Sequence, residues 1–275
     1  MYKFIARIAI GAGLLIPGVV YSADFTEADE LFKKRGESTT ISKQARQKYR
    51  SILSSGNLNN SEKIYAATQI SRLLSYEGSI LDKTTEPEKS QRKNIYGKCW
   101  REAVELMAPS KVGGPTPNYY YFKASCMALY GEVSGTLENL QNVGRLRKAI
   151  SEGKQYDTTY EGGGILRVEA GVISNPKAKP IPGLYKPEAA ASLIDQAIES
   201  PAYPGSSNAG SDYCENYKRK VMILQELGKN QEAKAEGIEA RDYFELLKAE
   251  EILPEGIEEE TKICIDYLNM LISKS

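Results

Sequence analysis

The sequence predicts an all-α protein, in which five antiparallel helix pairs and a C-terminal capping helix stack into one α-α superhelix. Three observations predict it. From Thr26 onward, apolar residues recur at spacings of three and four, the period of a single helix face. The interruptions are clusters of Gly, Pro and Asn, which punctuate helices. No stretch shows the apolar-polar alternation of a half-buried strand.

In order, the pattern predicts helices over 26–36, 41–54, 61–77, 88–107, 118–130 and 137–152, then over 159–174, 187–199, 212–227, 230–247 and 255–272. The second carries Ala45, Tyr49 and Ile52 on one face. The third begins at Asn60-Ser61-Glu62, where a side chain can cap the bare amides of the first turn. The fourth carries Tyr96, Trp100 and Ala103, with Pro109 soon after its end. Ala190, Ile194 and Ala197 give the eighth a small-bulky-small stripe that lets two helices approach closely. Gly228 can stop the ninth in a left-handed conformation, and Asn230 starts the tenth. Pro254 closes the approach to the last helix. Its acidic first turns, with Glu255, Glu258, Glu259 and Glu260, favour the positive end of the helix dipole. Ile257, Ile263, Cys264, Tyr267, Leu268 and Leu271 mark its buried side.

The first residues predict export. Lys3 and Arg7 precede an apolar run from Ile8 to Val20, and Val20-Tyr21-Ser22-Ala23 supplies the small residues of a cleavage site. Cleavage after Ser22, or after Ala23, leaves a single helical domain over 23–275. The run contains Pro17 and falls short of the roughly 20 apolar residues of a membrane span. A mean hydropathy of -0.43 fits a water-soluble body, and the periplasm is the expected compartment.

Composition excludes much chemistry. The chain has no histidine, which removes the commonest general base and metal ligand, so no enzyme activity, cofactor or metal is expected. Basic and acidic residues number 36 each, and removing Lys3 and Arg7 with the signal leaves 34 against 36. This balance offers no basic face to nucleic acid. Gly162-Gly163-Gly164 lacks both the GK[ST] and the GxGxxG context of a nucleotide loop. Cys99, Cys126, Cys214 and Cys264 lie too far apart for a CxxC site. In an oxidising compartment, neighbour pairing (Cys99 with Cys126, Cys214 with Cys264) is one of three connectivities, with four free buried thiols as the other reading.

The run Tyr217, Val221, Leu224, Gly228, Ala233, Gly237, Ala240 has the spacing of a tetratricopeptide repeat. Ala190 and Ala233 lie 43 residues apart, against a usual period of about 34. The extra residues fall in Pro-, Gly- and Ser-rich loops over 109–117, 174–187 and 200–211. The segment 142–200 resembles the T-component of TRAP-type periplasmic transporters, TatT, in its Tyr160, Gly162–Gly164, Gly171, Pro176, Pro182-Gly183 and Ala189–Ala191. That resemblance implies a helical accessory protein working beside a periplasmic solute-binding subunit in small-ligand uptake. TatT proteins are typically lipoproteins, and no lipidated cysteine follows the apolar run here.

Tyr160, Gly163, Gly164, Arg167, Gly171 and Ser174 share one face of the seventh helix. They read either as a bare groove floor with a guanidinium fork for a carboxylate or phosphate, or as a helix-packing seam. Tyr119, Tyr120, Tyr121 and Phe122 surround a full helical turn, so they cannot all face one core, and the tyrosines are candidate contacts for a ligand or partner. Lys177, Lys179 and Lys186 could rim the same region, or stay solvated. Two functions follow from these residues: an accessory protein that holds a small anion or a solute-binding partner near Arg167, or a cell-envelope scaffold that binds a protein through its tyrosines and takes no small ligand.

Overall fold

Capping and turn chemistry fixes where the helices begin and end. The computed structural model describes residues 23–81, 85–254 and 256–274; the expected signal over 1–22 and Glu255 of the acidic run lie outside the described residues. Eleven helices pack together, with no strand among the described residues. They are α1 (Thr26–Lys33), α2 (Thr39–Ser54), α3 (Asn60–Ser79), α4 (Glu86–Lys98), α5 (Pro117–Val133), α6 (Thr136–Tyr156), α7 (Tyr160–Ser174), α8 (Pro187–Ile198), α9 (Cys214–Glu226), α10 (Asn230–Ala249) and α11 (Glu258–Lys274). A π-helical turn, Cys99–Ala103, carries α4 on to Leu106, and a single turn at Pro109–Val112 follows.

The cap of α3 differs by one residue from the sequence expectation. Asn59, not Asn60, accepts the Glu62 N–H at 2.9 Å, and the Glu62 carboxylate accepts the Asn59 N–H at 2.7 Å. A reciprocal capping box needs a three-residue spacing to its acid, which only Asn59 has. Gly228 stops α9 at φ +75, where the Gly228 and Lys229 N–H groups each donate at 2.9 Å, to the Gln225 and Leu224 carbonyls. That is the double bond of a left-handed helix stop.

Each helix packs on the next, and α3, α5, α7, α9 and α11 also touch one another in succession. These odd-numbered helices form a continuous layer, and each even-numbered helix from α4 to α10 bridges two of them. The core follows the same order. One cluster, including Tyr49, Ile70, Leu73 and Val104, serves α1 to α5; a second, with Ile165, Ala190, Ile194 and Ala197, serves the middle; a third, with Val221, Phe244, Ile265 and Leu268, fixes the C-terminal end. Each fully buried Leu, Ile or Phe contributes about 1.5 to 3 kcal/mol. Ala190 and Ala197 of α8 are solvent-free and let it lie against α7. A Cβ on Gly163, whose φ is +74, would stand 2.6 Å from the Ala197 Cα.

Disulfides join Cys99 to Cys126 and Cys214 to Cys264, with Cα separations of 5.7 and 6.1 Å. Each links neighbours in the odd-numbered layer or its bridges, α4 to α5 and α9 to α11. The two ends of the stack also meet. Arg35, 1% exposed, pairs with Glu260 of α11, so the acidic first turn of α11 makes a tertiary contact as well as favouring its helix dipole. This contact ties the segment just after α1 to the start of α11.

Candidate functional site

The site grows from one left-handed turn. Asp157 accepts the Thr159 and Tyr160 N–H groups at 2.6 and 3.0 Å, and the chain then passes through Glu161, Gly162 and Gly163 at φ 54, 55 and 74. Glycine takes this conformation freely, whereas Glu161 incurs about 1 to 2 kcal/mol of strain. The surroundings hold it there. The Glu161 carboxylate, 8% exposed, pairs with Arg72 of α3. Arg167 Nη1 donates to the Glu161 and Gly162 carbonyls at 3.3 and 3.4 Å and to Asn216 Oδ1 at 2.8 Å, and its Nη2 donates to the Tyr121 hydroxyl at 3.3 Å. Asn216 Nδ2 in turn donates to the Gly162 and Gly210 carbonyls at 3.0 and 2.8 Å. Sequence spacing put Arg167 on a bare glycine face; the structure gives its fork four protein acceptors.

Around this turn lies a cavity of about 380 Å³, within the size range of small-molecule sites. Its walls come from α3, α5, α7, α9 and α11, with contributions from α4 and α6 and the loop after α7. Apolar side chains such as Phe122, Leu146, Val168, Val172 and Met222 share it with six cations (Arg72, Arg92, Arg167, Lys177, Lys218, Arg219) and four carboxylates (Glu132, Glu161, Glu215, Glu260). A second, more polar cavity of about 480 Å³ is lined by Asn118, Tyr160, Tyr203 and Ser206 to Asn208. Arg72, Glu161, Tyr213 and Ile257 belong to both linings, so the ion pair stands in the wall they share.

Electrostatics distinguish the groups. Burial pushes the Tyr121 and Tyr160 phenols above their ordinary value, which keeps them as neutral O–H groups at physiological pH. Burial also acts to raise Glu215, but the cations Lys218, Arg167 and Arg219 outweigh it and hold its carboxyl below the ordinary range. A carboxylate is therefore stabilised at this end of the cavity.

The structure brings together some of the residues singled out in the sequence and separates others. Tyr121, Arg167 and Gly171 line the first cavity and Tyr160 the second. Gly163 is sealed against Ala197. Tyr119 is buried and accepts from Lys123 Nζ at 2.7 Å, and Tyr120 packs on Tyr119 and Tyr156 outside both linings. Lys179 pairs with Glu226 at 2.7 Å, away from the cavity that its neighbours Lys177 and Ala178 reach. Sequence spacing missed Arg72, Arg219, Glu161 and Asn216. Only the left-handed Gly-Gly step beside Glu161 hinted that this acid sits in a special place. Among the described residues no cluster of three acidic or cysteine side chains could hold a metal, and no helix is long and apolar enough to cross a membrane.

Against known proteins, no family model, curated protein or solved structure matches the chain.

Proposed function

We propose that this is an exported binding protein of the tetratricopeptide type, an accessory of the TatT kind that holds a small solute in its interior and works beside a periplasmic solute-binding subunit. The observation that carries the reading is the cavity of about 380 Å³ enclosed by successive odd-numbered helices, mixing apolar walls with more cations than carboxylates. Water-filled packing defects are smaller and lack such a lining. The alternation of layered and bridging helices supports the repeat assignment, since stacked helix pairs touch only their neighbours. The tyrosines favour this reading over a protein scaffold, because Tyr119 is buried and Tyr121 and Tyr160 face interior cavities.

Export is supported at the other end of the domain. The Ala23 backbone nitrogen lies 2.9 Å from Glu62 Oε1, and Glu62 is fully buried. Cleavage after Ser22 would place the new α-ammonium on that carboxylate, a charge-assisted bond stronger than the amide it replaces.

Expression with the leader intact, periplasmic fractionation and N-terminal sequencing test the compartment, with Ala23 as the expected first residue. Crosslinking in the native envelope tests the partner. Recovery of a solute-binding subunit is the expected result; recovery of a cell-wall or assembly factor alone, with no extractable solute, would replace the reading with the scaffold.

A further inference from the structure

Arg219 differs from the other cations of the interior. Arg72 is paired with Glu161, Lys218 with Glu215, and Arg167 is held by Tyr121, Asn216 and two carbonyls. Arg92 donates to the Gly78 carbonyl at 2.9 Å and Lys177 to the Glu132 carbonyl at 2.6 Å. The Nε of Arg219, by contrast, is buried with no hydrogen-bond partner, and its nearest carboxylate, Glu132, stands 4.0 Å from Nη2. A contact of that length is not a hydrogen bond, and a buried donor left without an acceptor is destabilising.

The chain makes room for this guanidinium. It lies over the backbone of α7 at Gly171, where a Cβ would come within 2.9 Å of the Arg219 Cζ. The side chain is 20% exposed and lines the interior cavity, as do Val168, Val172, Leu146 and Met222. The cations around Glu215 already favour a carboxylate there against the effect of burial. An orphan donor, a surplus of positive charge and an apolar wall converge on one kind of guest.

We infer that Arg219 is the anchor for the anionic head of an amphipathic ligand, a monocarboxylate whose hydrocarbon part lies against the apolar side chains of the same cavity. This rests on the proposed solute-holding function and narrows it to a ligand class. A guanidinium takes a carboxylate through paired N–H donors, and the exposed part of this one faces the cavity. Each buried methylene of the tail adds to the affinity, so head and tail together should far exceed either alone.

The test uses the mature full-length chain and four probes: octanoate, acetate, octanol and succinate, by calorimetric titration and thermal melting. Octanoate is expected to bind and raise the melting temperature, with acetate and octanol each at least about tenfold weaker, since about 1.4 kcal/mol separates each decade. In Arg219→Gln, octanoate should fall to the affinity of octanol while the ligand-free melt stays within a few degrees of wild type. Arg219→Lys, which keeps the charge but loses the fork, should be intermediate. If Arg219→Gln melts far below wild type, the Arg219→Lys titration decides, and wild-type octanoate affinity in that folded variant would overturn the paired-donor anchor. Equal binding of octanoate and octanol would overturn the anionic head. Tight binding of succinate or acetate would overturn the amphipathic class and leave a solute-holding cavity standing. Absence of binding by all four, with no small molecule extractable from protein purified from its native envelope, would overturn the inference and the solute-holding function together.

Discussion

Arg35 and Glu260 lie 225 positions apart and form an ion pair that joins the end of α1 to the first turn of α11. The guanidinium also donates to the Phe32 carbonyl at 3.0 Å and lies 4.2 Å from the centre of the Phe32 ring. A linear stack of helix pairs leaves its end faces to water, whereas this one is closed by a buried cation. Arg35→Ala removes several charge-assisted bonds and leaves Glu260, 31% exposed, without its partner. The expected loss is about 2 to 4 kcal/mol in urea unfolding. Deleting 256–275 should lower the melting temperature at least as much, because it also uncovers the third core cluster. An unchanged melt in either variant would mean that α11 is an appendage.

Arg167 separates packing from binding. With four protein acceptors around its fork, Arg167→Ala should cost about 2 to 4 kcal/mol and release the left-handed turn, which circular dichroism melts would register. Two glycines on the same helix should then behave oppositely. Gly163→Ala meets backbone at 2.6 Å with φ +74 and should destabilise by about 2 kcal/mol or more. Gly171→Ala meets only the movable end of Arg219 and should leave the melt within about 1 kcal/mol of wild type. Similar stability losses in both glycine variants would show that the whole face is a seam.

The contrast marks what the sequence made legible. Helix number and boundaries could be read because local patterns decide them: the Ala190, Ile194, Ala197 stripe and the Gly228 stop act within one turn of themselves. Membership of the interior could not be read, because closure brings together residues far apart in the chain. Arg72 meets Glu161 across 89 positions, and no helical period encodes that distance. No local pattern sets Arg219 apart from other helix cations; the packing of α9 on α7 places it over Gly171, while Lys179, a candidate rim residue, pairs with Glu226. Glu260 carried two roles, and only the dipole role is local.

The Arg72 and Glu161 pair should be energetically coupled through strain. Glu161→Gly removes the left-handed penalty, about 1 to 2 kcal/mol, but strands a guanidinium that is 24% exposed. Net destabilisation is expected, because an unpaired, largely buried charge outweighs that relief. Arg72→Met with Glu161→Gly should recover much of the loss, giving a coupling energy of about 1 to 3 kcal/mol in a double-mutant cycle. Additive effects would argue that other contacts hold the turn and that the shared wall between the two cavities does not depend on the pair.

Glu215 supplies the pH dependence. Its carboxyl lies below the ordinary glutamate range in the folded chain: burial would raise it, but Lys218, Arg167 and Arg219 outweigh that. A group whose folded pKa is depressed releases its proton more readily in the folded state, so its contribution to stability is present above the unfolded pKa and is lost as pH falls through the folded one. The window therefore lies below about pH 4.3, the ordinary glutamate value. Glu215→Gln should lower stability at neutral pH, where the cations lose their carboxylate, and flatten the acid limb of the unfolding profile measured between neutrality and pH 3. A steeper acid limb in the variant would reverse the sign of the argument. The same substitution also takes one negative charge from the interior, so octanoate affinity should rise while that of octanol stays level. A fall in octanoate affinity would place the ligand's carboxylate away from the Arg219 end of the cavity.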